Sequence, residues 1–510
     1  MNIGIVKTAK KVTKKAKIKE NAVALLCEIN YNIRTAPLKG EILMKKLISV
    51  LLTMCIVLGL CACGGAASSS NEGGQTQAVL QAGYGRMDIT PDHPVGMGGY
   101  SDSETRKSGM TLDYIYTTCV AFQEGETTLL VYTIDVCGLN DSGMEKIRNY
   151  VSPFVNVPKE NIIIGATHTH SAPAMGNDDA WDNAFLKACG DAAKKAIDDL
   201  APIQMQTATA TLENMNFVRH YLMNDGTYYG SNFGSTASGF KAHALEYPDR
   251  QLILVKLERE SKKDILMVNW QAHPAAAARQ DDYTAVSADF VGHLRMTLEN
   301  ETGMQVAYYT GASGNTNPKS LIEVENTNNN NSYREYGKTL AKKVLEVLPN
   351  LTPVEGTGIK VTQFDFEAEI DHSWDHMKKE ADEVFNLWKS EGKDAGDKLG
   401  ATYGFTSSYQ ARAIRTRYNL PATQVRQLRA FRVGPIGFTS GSYEMFSDHA
   451  EYVKANSPFD LTFVISGNSG YIANELAYTY RSYETDTGMY ASGTGEALAA
   501  KYVELLNAVK

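Results

Sequence analysis

Short runs of β-favouring residues alternate with amphipathic segments along most of this 510-residue chain. The alternation predicts an α/β fold of the mixed α+β type, in which mixed β-sheets are flanked by helices. Residues 116–122 and 128–134 are joined by a short polar stretch containing glycine, which predicts a hairpin. Further strands are predicted at residues 161–166, 252–257, 265–270, 306–309, 359–366, 424–433 and 461–465. Helices are predicted at residues 143–151, 289–299, 333–348, 374–390 and 443–455.

The beginning of the chain follows a different pattern. Residues 1–43 contain a basic run without apolar periodicity, and a second methionine, Met44, follows them. After Met44, two lysines lead into an apolar run of about 14 residues, shorter than the roughly 20 that cross a bilayer as a helix. The run ends in Leu60-Cys61-Ala62-Cys63. This combination is typical of a bacterial lipoprotein signal.

These features predict four regions. We interpret residues 1–43 as a mis-assigned upstream extension, because a signal sequence does not work behind a basic leader. Residues 44–63 are the predicted signal peptide and lipobox, with Cys63 as the lipidated residue, and residues 64–78 are a flexible tether. Residues 79–510 are predicted to form one large folded domain. We therefore expect an exported protein, held by lipid on the extracytoplasmic face of a bacterial cell membrane.

Composition and charge exclude some functions. The chain is 43% hydrophobic and 21% charged, as in ordinary globular proteins. Of its 50 basic and 58 acidic residues, 11 and 3 precede Cys63, which leaves a net charge of −16 on the rest. This charge disfavours nucleic-acid binding. Cys119, Cys137 and Cys189 follow Cys63 without C-x-x-C spacing, so at most one disulfide is possible and no cysteine zinc site is suggested.

Two histidines, His168 and His170, follow the strand predicted at residues 161–166. Residues i and i+2 of an extended segment face the same side, so both imidazoles would point into one cleft. There they could share a metal ion. A hydrogen-bonded structural pair is the alternative for so short a pattern.

The residues around this pair, T-H-T-H-S-A-P at 167–173, resemble the A-T-H-T-H-S-G-P signature of the neutral ceramidase family, with Ala172 in place of glycine. Further segments resemble the same family in the same order, so the resemblance extends over about residues 79–510. They are Y-G-R-M-D-I-T-P at 84–91, G-G-Y at 98–100, N-W-Q-A-H-P at 269–274, S-A-D-F at 287–290, G-A-S-G-N-T-N-P at 311–318, G-S-Y-E at 441–444, I-S-G-N-S-G-Y-I at 465–472 and Y-E at 483–484.

The resemblance implies a catalytic zinc ion held by His168, His273, Glu444 and Tyr471. Zinc accepts imidazole nitrogen and carboxylate oxygen, and a catalytic site leaves a position for water, whose pKa falls towards about 7. The expected reaction is attack of this zinc-bound water on the N-acyl bond of ceramide or a related lipid-like amide.

The resemblance also places His170, Arg219 and Tyr483 in the cleft as catalytic residues. Tyr483 would stabilise negative charge on the carbonyl oxygen, and His170 would give a proton to the departing amine. Arg219 would orient the site electrostatically. The residues by themselves leave alternatives open: a surface ion pair for Arg219, ring packing for Tyr483, and a carboxylate at a helix start for Glu444.

Other candidate residues lie outside these segments. Asp135 follows a predicted strand and could hydrogen-bond a ligand histidine, as metal-bound imidazoles usually require, or it could simply end the strand in a turn. His372 and His376 have the spacing of a zinc-binding H-E-x-x-H helix but lack its glutamate, so we expect a solvated helix face. No role is assigned to His220, His293 and His449.

The chain departs from the family in two places. We expect no immunoglobulin-like C-terminal domain after the catalytic one, and residues 374–418 do not align with the family. Three functions therefore stay open: a zinc amidohydrolase acting on ceramide or a related lipid, a zinc hydrolase of another amide or ester, and a non-catalytic solute-binding lipoprotein. The expected partners are a lipid-like substrate and the membrane that holds the anchor. The sequence indicates no particular oligomeric state.

Overall fold

The computed structural model describes residues 79–100, 105–222, 228–229, 243–244, 247–318 and 332–510, which all belong to one compact unit. The predicted extension at 1–43, the signal peptide at 44–63 with Cys63, and the tether at 64–78 lie outside these residues. Each helix among the described residues is too short or too polar to cross a membrane.

Strands occur along the whole of the described chain. In chain order they are β1 (Gln81–Asp88), β2 (Tyr116–Glu124), β3 (Thr127–Ile134), β4 (Ile162–Ala166), β5 (Ala201–Thr211), β6 (Asn216–Val218), β7 (Tyr221–Leu222), β8 (Tyr228–Tyr229), β9 (His243–Ala244), β10 (Gln251–Arg259), β11 (Ile265–Trp270), β12 (Gln305–Thr310), β13 (Thr316–Pro318), β14 (Thr352–Val354), β15 (Ile359–Glu369), β16 (Thr423–Val433), β17 (Ile436–Gly441), β18 (Glu444–Met445), β19 (Leu461–Ser466) and β20 (Tyr471–Ile472).

The α-helices alternate with these strands. They are α1 (Asp141–Val155), α2 (Asp179–Asp198), α3 (Ala277–Gln280), α4 (Phe290–Thr302), α5 (Tyr333–Val347), α6 (Lys378–Glu391), α7 (Lys393–Thr402), α8 (Ser408–Arg417), α9 (Ser447–Asn456), α10 (Glu475–Tyr480), α11 (Tyr483–Thr487) and α12 (Thr494–Val509). Short 3-10 turns occupy Lys159–Asn161, Leu348–Asn350 and Asp375–Met377.

Two sheets form the centre of the molecule. The larger has the order β12-β11-β10-β5-β1-β2-β3-β4, with β14 also paired to β5, and the smaller has the order β15-β16-β17-β19. The pairs β3–β4, β11–β12 and β17–β19 are parallel. The short pairs β6–β13 and β18–β20 and the three-stranded sheet β8-β7-β9 are separate from the two large sheets.

The two sheets pack face to face and are covered by helices on their outer sides. Val131 of the large sheet and Phe438 of the small one share a core. Leu130 and Tyr132, which alternate with Val131, belong to the core under α1 and α2 instead. Helices α4 and α5 cover β10 to β12, and α9 and α12 cover the small sheet. The architecture is therefore a four-layer sandwich of helices, sheet, sheet and helices, and the predicted mixed α/β class is confirmed.

The predicted elements agree with the observed ones to within four residues at each end, and one of these differences changes the type of element at a candidate site residue. The helix predicted at residues 443–455 begins only at Ser447, because Glu444 and Met445 form the strand β18. Glu444 is therefore not a helix-start carboxylate.

Helix α2 was not predicted from the sequence. Its buried face consists largely of small residues such as Ala192 and Ala196, which give a weak hydrophobic period. Small residues are needed there because α2 lies directly on β1. A Cβ at Gly83 or Gly85 would lie 2.0 Å from a helix carbonyl oxygen. The backbones of α2 and β1 are thus in direct contact, which leaves no room for large apolar side chains between them.

Candidate metal centre

Four predicted site residues follow the carboxyl ends of strands from both sheets. His168 comes after β4 and His273 after β11, while Glu444 and Tyr471 lie on β18 and β20, just beyond β17 and β19. Asn468 ties two of these ends together, since its side-chain amide donates to the carbonyl of Ala166 at 2.8 Å. Carboxyl ends of parallel strands are a common location for ligand sites in α/β proteins.

His168, His273 and Glu444 lie side by side at this edge. The Nε2 atom of each histidine is 3.4 Å from Oε2 of Glu444. The two imidazole centroids are 4.3 Å apart. Their exposed fractions are 2%, 2% and 7%, so the cluster is buried. One ligand atom from each of the three residues lies within 4.8 Å of the others.

The far side of each ring is held by the backbone. Nδ1 of His273 is 2.7 Å from the carbonyl oxygen of Ser313, and Nδ1 of His168 contacts the carbonyl oxygen of Cys137. A carbonyl only accepts a hydrogen bond, so each Nδ1 carries the hydrogen. In the neutral form of each ring, the lone pair therefore lies on Nε2 and faces Glu444, as in metal-binding histidines.

The backbone of His168 adopts a left-handed conformation, with φ at 72°. Residues other than glycine rarely adopt this conformation, and such strain collects at functional sites. At this position it turns the chain sharply after β4. The turn lets the His168 ring face His273 and Glu444 rather than continue the strand.

The arrangement fits a metal ion. Nε2 of His273 and Oε2 of Glu444 are buried and have no hydrogen-bond partner among the described residues. Each such unpaired group costs on the order of 1–3 kcal/mol. A cation between them would remove this cost, and two imidazole nitrogens with one carboxylate are a donor set that zinc accepts.

Electrostatics also favour a positive charge at this point. Burial alone would raise the pKa of Glu444, but His168 and His273 hold it well below 4.5, so the carboxylate is ionised. Burial and the charge of His168 lower the pKa of His273 to about 4, which keeps its Nε2 lone pair free at neutral pH. Burial lowers the pKa of His168, but Cys137 and Glu444 overcome this and raise it well above 6.5.

Tyr471 lies beside this cluster. It is the Cα partner of Glu444 in the parallel pair β18–β20, so both side chains project to the same face. The Tyr471 hydroxyl is 3.4 Å from Nη2 of Arg219. Burial raises the pKa of this hydroxyl well above 10.

Arg219 is buried behind Tyr471. Its Nε donates to Oε1 of Glu484 at 2.5 Å, and its Nη2 donates to the carbonyl of Gly314 at 2.8 Å. The other oxygen of Glu484 is 2.9 Å from Nε2 of His220. Arg219 is 2% exposed and Glu484 is fully buried. Arg219 therefore forms a buried ion pair and not the surface ion pair that the sequence left open.

His170 stands on the other side of His168, with 3.3 Å between the two Nε2 atoms. Burial lowers its pKa well below 6.5, and the charge of His168 adds to this. Its ring meets Tyr100 edge to face at 5.2 Å. Gly99, with φ at 98°, presses against the same ring, and a Cβ there would lie 2.7 Å from Cγ of His170. Arg106 donates to the His170 carbonyl at 2.9 Å.

Tyr483 completes the group at the open side. Its ring centroid is 6.1 Å from that of Tyr471, and the residue is half-buried. Burial raises the pKa of its hydroxyl above 10, so the group keeps its proton and can donate a hydrogen bond.

Comparison with known proteins relates this chain to the ceramidases. A sequence model described as neutral/alkaline non-lysosomal ceramidase, N-terminal, matches residues 80–313. Over these residues the chain is similar to the ceramidase family. The match contains His168, His170, Arg219 and His273. The resemblance seen in the sequence motifs is thereby confirmed, and the match supports a ceramidase-like hydrolase.

Two solved structures share the ceramidase fold with this chain. The neutral ceramidase from Pseudomonas aeruginosa gives a TM-score of 0.63 at 15% identity, over 84% of this chain and 74% of that one. A ceramidase complexed with C2 gives a TM-score of 0.62 at 15% identity, over 85% and 75% of the two chains. At this identity the similarity establishes the fold. A search of curated proteins gave no match.

The carboxylate of Asp135 binds Arg295 and not a ligand histidine. Its carboxylate accepts two hydrogen bonds from Arg295 at 3.0 and 2.5 Å and one from the Tyr116 amide at 2.9 Å. The assignment to a ligand histidine was wrong, because the buried guanidinium on α4 requires this carboxylate. Carbonyls of Cys137 and Ser313 serve the histidines instead.

Some residues of this ceramidase-like site were missed in the sequence. Glu484 was seen only as a neighbour of Tyr483, and His220 was given no role beside Arg219. Arg106 carried no motif at all. For Glu484 and His220, the only indication in the sequence was that each lies next to a motif residue. Their contact with each other joins distant parts of the chain, so no local pattern predicts it.

Proposed function

We propose that this chain is a zinc-dependent amidohydrolase of the neutral ceramidase type, which cleaves the N-acyl bond of ceramide or a related lipid. The observation that carries the proposal is the convergence of buried ligand atoms from His168, His273 and Glu444, of which Nε2 of His273 and Oε2 of Glu444 have no hydrogen-bond partner among the described residues. The match of residues 80–313 to the neutral/alkaline ceramidase model supports the amide chemistry.

His168, His273 and Glu444 would hold the zinc ion, with Tyr471 as the fourth ligand. When bound, zinc would lower the pKa of a water ligand towards about 7 and polarise the substrate carbonyl. The Ser313 and Cys137 carbonyls keep both imidazoles in the tautomer that this binding requires.

The remaining residues would act on the substrate. His170 is neutral in its buried position and its Nε2 faces His168, so a proton passing through the site can be held there and given to the departing amine. The Tyr483 hydroxyl keeps its proton and can donate to the developing oxyanion. Arg219, fixed by Glu484, supplies a preorganised positive charge next to Tyr471.

We also propose that the protein is exported and anchored through a lipid on Cys63. The lipobox at residues 60–63 supports this, and an anchored enzyme would meet lipid amides at the surface where they reside. The anchor and the substrate proposal are independent of one another.

The proposal is tested by zinc analysis together with hydrolysis of fluorogenic N-acyl amides and esters, with and without chelator. Wild-type protein should contain about one zinc per chain, as a single tetrahedral site requires. His168→Ala and Glu444→Gln should lose both zinc and activity.

His372→Ala and Glu504→Gln serve as matched controls, because both side chains lie outside the cluster. The site assignment is wrong if His168→Ala and Glu444→Gln keep full zinc and full activity. A protein without stoichiometric zinc that binds but does not cleave amides would instead be a solute-binding lipoprotein.

A further inference from the structure

Residues 374–418 form a helical segment of α6, α7 and α8 that reaches the candidate metal centre. Tyr409 of α8 meets Tyr483 edge to face, with 6.3 Å between ring centroids. Tyr483 in turn lies 6.1 Å from Tyr471. The segment that did not align with the ceramidase family therefore contacts Tyr483, a proposed catalytic residue, through the Tyr409 ring.

The contact belongs to a longer row of rings. From Tyr409 the row continues to Trp388 at 5.3 Å and from there to Phe385 at 5.7 Å. We call the five residues the aromatic track. They are Tyr471, Tyr483, Tyr409, Trp388 and Phe385.

The aromatic track is not the core of its segment. Helices α6 to α8 are held together by a separate cluster that includes Val384, Phe405 and Ile414. Every member of the aromatic track is half-buried rather than buried. A row of partly open aromatic rings offers a binding surface for an apolar chain or a sugar ring.

Cations accompany the aromatic track at its outer end. The Arg412 guanidinium lies 5.8 Å from the Trp388 ring and 5.6 Å from the Tyr409 ring. The Arg415 guanidinium lies 4.0 Å from the Phe385 ring. Arg415 is paired with Asp382 at 2.5 Å, whereas Arg412 forms no ion pair with any described residue.

A cavity of about 480 Å³ opens at the same place. Its walls include Arg412, Arg415 and Lys378 against the single carboxylate Asp382, with Phe385 at its apolar side. Lys378 and Arg415 both share Asp382. The cavity therefore has an excess of positive charge, on a chain whose formal net charge is −8.

We propose that the aromatic track binds the part of the substrate distant from the scissile amide, and that Arg412 holds an anionic group there. This inference rests on the proposed amidohydrolase function and names its substrate class: an amphiphilic N-acyl amide carrying a carboxylate, sulfate or phosphate away from the amide. A neutral ceramide lacks such a group. An arginine already lying on aromatic rings is preorganised to bind an anion at the end of the row.

The test compares two fluorogenic amides of one long-chain dicarboxylic acid, one with the far carboxylate free and one with it methylated. Wild-type protein should prefer the free acid by at least about tenfold in kcat/KM, equivalent to about 1.4 kcal/mol. Arg412→Gln should bring the preference close to one, chiefly by lowering kcat/KM for the free acid. A second pair, with a phosphate or a hydroxyl at the same position, distinguishes the kinds of anion.

Lys398→Gln is the matched control, because Lys398 is an exposed cation on α7 of the same segment. It should keep the preference of the wild type. The inference is overturned if both amides are cleaved equally well, or if Arg412→Gln keeps the preference.

Binding of the same amides, followed by tryptophan fluorescence with Trp388→Phe as reference, separates this inference from the proposed function. If neither amide is cleaved but the acid binds more tightly and Arg412→Gln removes the difference, the anion site stands and the hydrolase proposal fails. Equal binding of acid and ester overturns the anion site.

Discussion

Glu444 and Tyr471 are register partners in the two-residue parallel pair β18–β20. They follow different strands of the small sheet, β17 and β19, which are themselves parallel neighbours. The pairing therefore extends the order of the sheet by one short step and places the Glu444 carboxylate beside His168 and His273. The Tyr471 side chain lies on the same face as Glu444 because the backbone holds the two residues in register.

This register makes Tyr471 testable as the fourth ligand. Tyr471→Phe keeps the ring and the strand pairing but removes the hydroxyl. Zinc affinity should fall about 10- to 100-fold, the usual effect of losing a group that supports a metal site. Competition with a chelator measures the change. Tyr418→Phe, at a residue 44% exposed, is the control and should bind zinc as the wild type does. Unchanged affinity in Tyr471→Phe would exclude the hydroxyl as a ligand.

Replacement of Glu484 should lower the free energy of unfolding. Glu484→Gln leaves Arg219 and His220 buried with a weaker partner, and breaking a buried ion pair typically costs about 3–5 kcal/mol. Denaturant unfolding at pH 7 should show this loss. The exposed change Glu504→Gln should alter the free energy of unfolding by less than about 0.5 kcal/mol.

The same pair predicts a pH dependence. Burial alone would raise the pKa of Glu484, but Arg219 and His220 lower it from 4.5 to about 2 in the folded protein. The stabilisation is therefore fully present above about pH 4.5 and is lost as the pH falls towards 2. The difference in unfolding free energy between wild type and Glu484→Gln should shrink over this range. A difference that grows on acidification would contradict the ion-pair assignment.

Asp135 should affect folding without affecting metal. Asp135→Asn leaves the buried Arg295 without its carboxylate, so the free energy of unfolding should fall by about 3–5 kcal/mol. Zinc content of the folded fraction should stay at the wild-type value, because the ligand histidines are oriented by carbonyls. Zinc loss from folded Asp135→Asn would show that this carboxylate supports a ligand histidine after all.

Arg106 is expected to position His170. It donates to the carbonyls of Gly98 and His170 and lies between the Tyr100 and Tyr283 rings, at 4.8 and 4.4 Å from their centroids. Arg106→Lys should lower kcat more than it raises KM. Amides with poor leaving groups should suffer more than activated esters, since only the former need a proton from His170. Equal loss on both substrates would indicate general unfolding instead.

Export can be tested separately. Cys63→Ala removes the lipidated residue but not the apolar run, so the protein should move from the membrane fraction to the soluble exported fraction. Fractionation and metabolic lipid labelling measure this. Labelled Cys63→Ala protein would rule out Cys63 as the anchor.

Local patterns determined much of this protein. The β-favouring run of residues 128–134 marked a strand, and the ordered motifs around His168, His273, Glu444 and Tyr471 pointed to one family and one ligand set. Such features are visible because strand periodicity and motif spacing depend on residues that are close in the chain. The His-x-His pair alone was ambiguous, and the ordered motifs decided it.

Other features were decided only by the tertiary structure. The Arg219–Glu484 pair joins residues 265 positions apart, and the Asp135–Arg295 pair joins residues 160 apart, so no local pattern announces either. Glu444 was expected on a helix, and its pairing with Tyr471 placed it on a strand. The aromatic track likewise exists only because α8 packs Tyr409 against Tyr483. A buried charged side chain is stabilised by an oppositely charged group close to it in space. Which groups are close is decided by the packing of the sheets and helices and not by the order of residues in the chain.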